Sequence, residues 1–316
     1  MKTDQQSKFL AHFLVVFLLC VAAAFAQTTT PFSQRYETQG INGDLTIIGN
    51  SILGDSPDTP YNGDTQNNFI DMVFVDVDNN NNTFNSSNAR FETSNCNRVV
   101  YAGLYWGAVS APATLEPENI KFRVPGAGYR DITADETIDL IYYKDVTDIV
   151  ANSSITGNYW VANISSSEGQ SSAAGWSLVI VYEDPTETRK YISTFDGFSA
   201  VRDSPNNQVD FNYSGFTTPP SGPVEGRVGV AALEGDLGWY GDQMLFRADG
   251  NANFTALYDA ENEADNFFNS KITENGAQVT DRNLNSTNTL GWDQKLLNLT
   301  DLNPGNSLIG NGETGA

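Results

Sequence analysis

Two short acidic segments carry the side chains whose types and spacing could do chemistry. The first, residues 76–80 (DVDNN), follows an apolar stretch and offers oxygen ligands at alternating positions. Oxygen-only ligand sets suit calcium. An EF-hand loop is excluded, because Asn81 stands where that loop needs glycine and Ser87 where it needs a bidentate glutamate. A looser calcium site remains open, with three candidate ligands: Asp76, Asp78 and Asn80.

The second segment is residues 233–246, LEGDLGWYGDQMLF, in which three carboxylates bracket a glycine-rich turn that carries two aromatic residues. The carboxylates could bind a calcium ion that holds the loop together, or Trp239 and Tyr240 could form a carbohydrate-contacting tip. The alternative is a β-hairpin whose acidic side chains hydrogen-bond to their own turn. The candidate calcium ligands here are Glu234, Asp236 and Asp242.

Composition excludes several reaction classes. The only histidine is His12, which lies in the N-terminal apolar region, so triads with an imidazole base are excluded. A tetrahedral zinc site would need carboxylates plus at most one thiolate. Cys96 has no imidazole base to activate it and is expected to be a buried, inert thiol. Paired carboxylates for glycoside hydrolysis stay chemically open, but the sequence singles out no pair. We therefore predict that the protein is not an enzyme.

Residues 1–26 are typical of a secretory signal peptide. Lys2 and Lys8 precede an unbroken apolar run from Phe13 to Ala26, which is too short to span a bilayer comfortably. The run ends in Ala24-Phe25-Ala26, a pattern that signal peptidase accepts, and an uncleaved anchor is the alternative. Cleavage would leave 15 basic and 38 acidic residues, a net charge of −23. We expect a secreted or cell-surface protein that has no transmembrane segment in its mature chain and does not bind nucleic acid, whose phosphates demand a basic surface.

The elements that must position these residues are strands. Short runs rich in Val, Ile, Tyr, Phe and Trp are separated by Asn, Asp, Gly, Ser and Pro, which predicts an all-β fold, a large β-sandwich or jelly-roll-like domain. Residues 175–182, GWSLVIVY, should form a central strand covered on both faces. One or two short helices are predicted, at 145–152 and 262–270. The aromatic segments 101–107 and 157–163 are best explained as buried strands, with a sugar-binding platform as the alternative.

We find no internal repeat and no linker long enough to force a domain boundary, so residues 27–316 are predicted to form a single β-sandwich domain. The chain stops in a Gly- and Asn-rich segment, residues 310–316, without a recognisable sorting tail. We expect this end to be a truncation within a longer protein.

Seven strings in a fixed order resemble one family. They are VVYAGLYWGA (99–108), YKDVTDIV (143–150), GNYWVANI (157–164), AGWSLVIVYEDP (174–185), FDGF (195–198), LEGDLGWYGD (233–242) and DNFFNS (265–270). They are similar to the N-terminal β-sandwich domain of large Bacteroidetes-type cell-surface, adhesin-like proteins, in which this domain precedes small β-sandwich repeats. Such proteins in gliding bacteria often end in a type IX secretion sorting domain. The resemblance covers roughly residues 36–316 and supplies no catalytic residues.

The resemblance implies an exported, adhesin-like domain that acts by binding or as the structural head of a larger surface protein. Its partner would be a cell-surface glycan or protein, and calcium is the cofactor that its acidic loops suggest. The alternative is a carbohydrate-active module, either a lectin-like binder or a hydrolase that uses carboxylates alone. A hydrolase would need two carboxyl groups facing each other about 5–10 Å apart across a cleft.

Overall fold

The computed structural model describes residues 29–38, 40–93, 98–110, 116–202 and 207–316. The predicted signal peptide and Cys96 lie outside these residues. In chain order the strands are β1 (Thr29–Glu37), β2 (Ile41–Ser51), β3 (Leu53–Gly54), β4 (Val73–Phe74), β5 (Ser86–Phe91), β6 (Arg98–Ala108), β7 (Asn119–Arg123), β8 (Arg130–Thr133), β9 (Glu136–Ile138), β10 (Ile141–Asp145), β11 (Gly157–Ala162), β12 (Ala174–Glu183), β13 (Arg189–Lys190), β14 (Ser193–Ser199), β15 (Arg227–Leu233), β16 (Leu245–Phe246), β17 (Thr255–Ala256), β18 (Ile272–Glu274), β19 (Ala277–Gln278), β20 (Arg282–Asn283) and β21 (Trp292–Asn298).

Two antiparallel sheets face each other across the main core, which confirms the predicted all-β, sandwich-like fold. One has six strands in the order β13-β2-β12-β6-β10-β9, and the other has five in the order β20-β5-β11-β7-β8. Their inward residues alternate with outward ones, as the two-residue period of a strand requires. The core between them is made of buried side chains from both sheets, among them Leu104, Trp106, Phe122, Tyr159, Val161, Trp176 and Leu178.

A third layer covers the outer face of the six-stranded sheet. Its four strands run in the order β15-β21-β18-β19, with β18 parallel to β21 and the other pairs antiparallel. The Gln294 amide of β21 donates to Ile47 O at 2.9 Å and accepts from the Ser177 hydroxyl at 2.8 Å. A second, smaller core lies on the far side of this layer and contains Phe246, Leu257, Phe267, Leu297 and Leu308.

Strand β12 confirms the prediction of a central strand covered on both faces. Trp176, Leu178 and Ile180 point into the main core. On the opposite face, Gly175 lies against the Trp292 ring, where even a Cβ would overlap the ring atoms. The near-continuous apolar run of this strand therefore reflects burial by two layers.

One of the two predicted helices is present. The helix α1 spans Thr147–Ala151 within the predicted 145–152 segment, and Asp145 Oδ1 accepts a 2.8 Å hydrogen bond from the Thr147 N–H at its start. The second prediction is wrong: residues 262–270 form turns and isolated bridges. Asp259 Oδ1 accepts hydrogen bonds from the backbone N–H groups of residues 261 and 262, which commits the chain to a side-chain-stabilised turn.

Two strand predictions also need correction, and several strands were not predicted. Short runs rich in apolar and aromatic residues also predict strands at 69–77 and 209–216. Only Val73–Phe74 of the first is extended in a sheet, and the second contributes a single bridge at Ser214. Conversely, β21 was not predicted, because the charged residues Asp293 and Lys295 interrupt its apolar pattern. Within the described ranges, no helix has both the length and the apolar character to cross a membrane.

Candidate functional site

The acidic loop at residues 233–242 leaves the third layer at the end of β15. At Glu234 the backbone takes a left-handed conformation with φ of 65°, and the Glu234 N–H donates to Gly291 O at 2.7 Å. Gly235 then packs so closely that an added Cβ would overlap Asp293 Oδ2 and Phe268 O. The base of the loop is thus fixed by contact with the strand and loop beneath it.

Hydrogen bonds from three neighbouring residues, in two segments, brace the rest of the loop. The Ser270 hydroxyl donates to Gly235 O, and the Gln66 amide donates to Leu237 O at 3.3 Å. The side-chain amide of buried Asn266 is oriented so that both its nitrogen and its oxygen are hydrogen-bonded. The nitrogen donates to Trp239 O at 3.1 Å, and the oxygen accepts from the Gly238 N–H at 3.2 Å. A loop held at so many backbone atoms is preorganised, which lowers the entropy cost of ligand binding.

Two exposed aromatic rings project from this braced loop. Trp239 is 56% exposed and Tyr240 63% exposed. We call Trp239 and Tyr240 the aromatic tip. Large aromatic side chains exposed together on a polar surface are typical of recognition sites.

The three predicted acidic ligands of this loop face different surroundings. The Glu234 carboxyl turns to buried Asn67, whose amide donates to Oε1 at 2.9 Å. Asp242 Oδ1 accepts from the Phe268 N–H at 2.6 Å, and its pKa is raised by burial. Burial, together with the charges of Asp293 and Asp242, raises the pKa of Asp236 to about 6. Asp236 and Asp242 are therefore close enough to interact, and a third carboxylate that the sequence reasoning missed, Asp293, joins them.

We expect Asp236 to make stability depend on pH. Because the folded-state pKa of Asp236 is raised above its ordinary value, the folded state binds the proton more tightly than the unfolded state does. The stability that this gives is present at low pH and is lost as pH rises towards and through 6. Asp236→Asn removes the penalty of ionisation. In thermal melts, the melting temperature of Asp236→Asn should exceed that of the wild-type protein by more at pH 7.5 than at pH 4.5. An equal difference at both pH values would contradict the shift.

In the first acidic segment, between β4 and β5, the carboxylate oxygens accept hydrogen bonds from residues further along the chain. Asp76 Oδ1 accepts from the Ser86 hydroxyl at 2.9 Å. Asp78 Oδ1 accepts from the Asn80 N–H at 2.9 Å and from the Thr83 hydroxyl at 3.0 Å. Burial raises the pKa of Asp76, and the neighbouring Asp78 adds to the shift. The geometry is that of side-chain-stabilised turns.

The six candidate calcium ligands are thus divided between two places. Asp76, Asp78 and Asn80 lie beside the five-stranded sheet, whereas the other three lie over the four-stranded one. In the part of the chain that the structure describes, no three His, Cys, Asp or Glu side chains are placed to hold a metal ion. Calcium binding at either place stays a prediction.

The two aromatic-rich segments that the sequence offered as sugar platforms are buried. Tyr101 and Trp106 of β6 and Tyr159 of β11 lie inside the molecule. The Trp106 indole donates to Pro117 O at 2.9 Å, and the Tyr159 hydroxyl donates to Ile155 O at 2.7 Å. Their interpretation as core strands is confirmed, and the exposed aromatic surface lies at the tip.

Sequence reasoning missed the polar cluster beneath the loop. Lys295 and Asp293 are fully buried on β21, with Nζ 2.9 Å from Asp293 Oδ1, and buried Asn269 completes the group. The string WDQKLL at 292–297 could have indicated this cluster, because two charged residues occupy alternate positions of an otherwise largely apolar run. Ionisable side chains are almost never fully buried unless they are paired.

Comparison with protein-family models, with curated proteins and with solved structures finds no match to this chain.

Proposed function

We propose that this protein is an exported, adhesin-like surface domain that acts by binding, with the aromatic tip as its ligand-contacting surface. The observation that carries the proposal is the pair of exposed rings of Trp239 and Tyr240 on a loop whose backbone is held by Asn266, Gln66 and Ser270. The signal-peptide pattern and the ordered strings of residues 99–270 support export and a surface role.

A neutral glycan is the ligand class that this surface fits best. The predicted mature chain has a net charge of −23, which repels acidic partners at low salt. Isolated rings flanked by Gly238, Gly241 and acidic side chains offer flat apolar faces between hydrogen-bonding groups. Ligand sites commonly combine apolar and aromatic surfaces with a few polar groups in this way.

We expect Trp239→Ala and Tyr240→Ala each to weaken glycan binding about 10- to 100-fold, because aromatic anchors carry most of the binding energy of such surfaces. The probe is an array of neutral and acidic glycans, followed by titration of any glycan retained. Tyr191→Ala is the matched control, since Tyr191 is an exposed tyrosine in the connection between β13 and β14. Unchanged binding in both tip variants would refute the tip as the site.

A carboxylate-only glycoside hydrolase is the second candidate function. It is favoured by Asp236, whose pKa near 6 would keep part of its carboxyl protonated close to neutral pH beside Asp242. The same array separates the two functions, because bound glycans keep their mass if the protein only binds them. Shortened glycans that depend on Asp236 would favour the hydrolase.

A further inference from the structure

Lys295, Asn269 and Asp293 form a buried polar group between β21 and the segment that leads into β18. Lys295 Nζ lies 2.7 Å from Asn269 Oδ1 and 2.9 Å from Asp293 Oδ1. The carbonyl bond that joins Oδ1 to Cγ is about 1.2 Å long, so Nζ lies within about 4 Å of the Asn269 Cγ carbon. All three residues are buried, Lys295 and Asp293 completely. An amine is thus held next to an amide carbonyl, and both are buried from bulk solvent.

The surroundings favour a reactive, uncharged amine. Burial lowers the pKa of Lys295, since desolvation disfavours the ammonium form. Asp293 can take its proton at Oδ1, and its second oxygen, Oδ2, is buried with no hydrogen-bond partner among the described residues. A lysine amine desolvated in this manner, with an adjacent base, is an activated nucleophile.

We propose that Lys295 and Asn269 form an intramolecular isopeptide bond after folding. The neutral Nζ attacks Cγ of Asn269, a new N–C bond forms, and the Cγ–Nδ2 bond breaks. Asp293 carries the proton from Nζ to the departing Nδ2, so that one ammonia leaves and nothing is oxidised or reduced. The product is a secondary amide between two side chains that are already in contact.

The fold holds both partners in place for this step. Strands β18 and β21 are paired in parallel, with Thr273 opposite Lys295. Lys271 O accepts a second hydrogen bond from Nζ at 3.0 Å, and Asn269 Nδ2 donates to Glu261 O at 2.9 Å, which fixes the amide plane. Positioning of this kind can supply much of the barrier reduction for a reaction between neighbouring groups.

Asn269 is the preferred electrophile over Asp293. Lys295 Nζ lies closer to Asn269 Oδ1, at 2.7 Å, than to Asp293 Oδ1, at 2.9 Å, and the step needs Asp293 to carry the proton. The amide also links two different segments, so the bond would clamp the segment beneath the acidic loop to β21. That segment includes Ser270, whose hydroxyl holds Gly235 O. The bond would stiffen the support of the tip whether or not the tip binds a glycan.

Mass spectrometry of the purified full chain tests the proposal. Intact mass should fall by about 17 Da, the mass of one ammonia, relative to the sequence with the N-terminus found. Trypsin should yield residues 248–271 joined to residues 283–316, because Lys295 would no longer be cleaved. Lys295→Arg should restore the full mass, since a guanidinium is a poor nucleophile. Lys271→Arg, the matched control, should leave the joined peptides intact.

Several results would overturn the proposal. One is a wild-type chain at full mass with Lys295 cleaved by trypsin. Another is a loss of about 18 Da with Lys295 joined to Asp293, which would show that the carboxylate reacts. The third is a loss of ammonia confined to residues 248–271, which would indicate cyclisation of Asn269 on its own backbone. The wild-type spectrum decides each of these, even if a variant fails to fold.

Discussion

Replacing Trp176 with alanine is expected to lower the free energy of unfolding by about 3–5 kcal/mol, the usual cost of truncating a buried tryptophan. Trp176 is fully buried in β12, opposite Trp106 on one side and Asn50 on the other. Its indole also donates to the buried Ser87 hydroxyl of the facing sheet at 2.9 Å. The variant therefore loses packing between the two sheets and leaves the Ser87 hydroxyl without its donor. Urea unfolding followed by circular dichroism measures the loss.

Trp239→Ala is the matched control, because it removes the same side chain from the exposed tip. Its free energy of unfolding should change by no more than about 0.5 kcal/mol, as for other surface substitutions. If both variants lost stability equally, the assignment of Trp239 to an exposed tip would be wrong. If neither did, the core would not depend on Trp176.

Gly235→Ala is expected to destabilise the protein by at least about 1–3 kcal/mol and to abolish binding by the tip. The new methyl group would overlap Asp293 Oδ2 and the backbone oxygen of Phe268, and a backbone atom cannot rotate away as a side chain can. The loop must then lift from β21, which breaks the hydrogen bond from Ser270 to Gly235 O. Thermal melts and glycan titration measure the two effects.

Gly128→Ala controls for the loss of glycine itself. Gly128 lies in an exposed turn where no atom stands within 4 Å of an added Cβ, and its backbone is not in the left-handed region. It should keep wild-type stability to within about 0.5 kcal/mol. A stable Gly235→Ala variant with full binding would show that the loop is not seated as the structure places it.

These variants separate two properties of the site. The Gly235 substitution changes the support of the tip, whereas substitutions of Trp239 and Tyr240 change the surface that it presents. If the support matters for affinity, Gly235→Ala should weaken binding although every ring is retained. Such a result would point to preorganisation as the source of the binding energy.

How far the sequence predicts this fold depends on the element. The pattern of β12 is nearly continuous in apolar residues, and burial by layers on both faces is the arrangement that such a strand requires. By contrast, β21 was not predicted, because polar and charged residues on its two faces are buried in two different environments. Gln294 bonds to the six-stranded sheet on one face, while Asp293 and Lys295 pair beneath the acidic loop on the other.

The helix predicted at 262–270 does not form, for a related reason. Its composition is compatible with a helix, but side chains from distant and nearby residues take over its backbone bonding. Asp242 Oδ1 accepts from the Phe268 N–H, and the Gly241 N–H donates to Asp265 O. Tertiary hydrogen bonds of this kind override local propensity, and a single sequence does not reveal them.

The sequence by itself determined the all-β class, the central strand and the short helix near Thr147, because these follow from residue types and from the two-residue period of strands. Only the tertiary structure decided which acidic residues lie near each other and which aromatic rings reach the surface. It left Trp239 and Tyr240 exposed, and it brought Lys295 to Asn269 across 26 positions of the chain. The physical reason is that burial and pairing depend on which layers stack, and residues far apart in sequence make those layers.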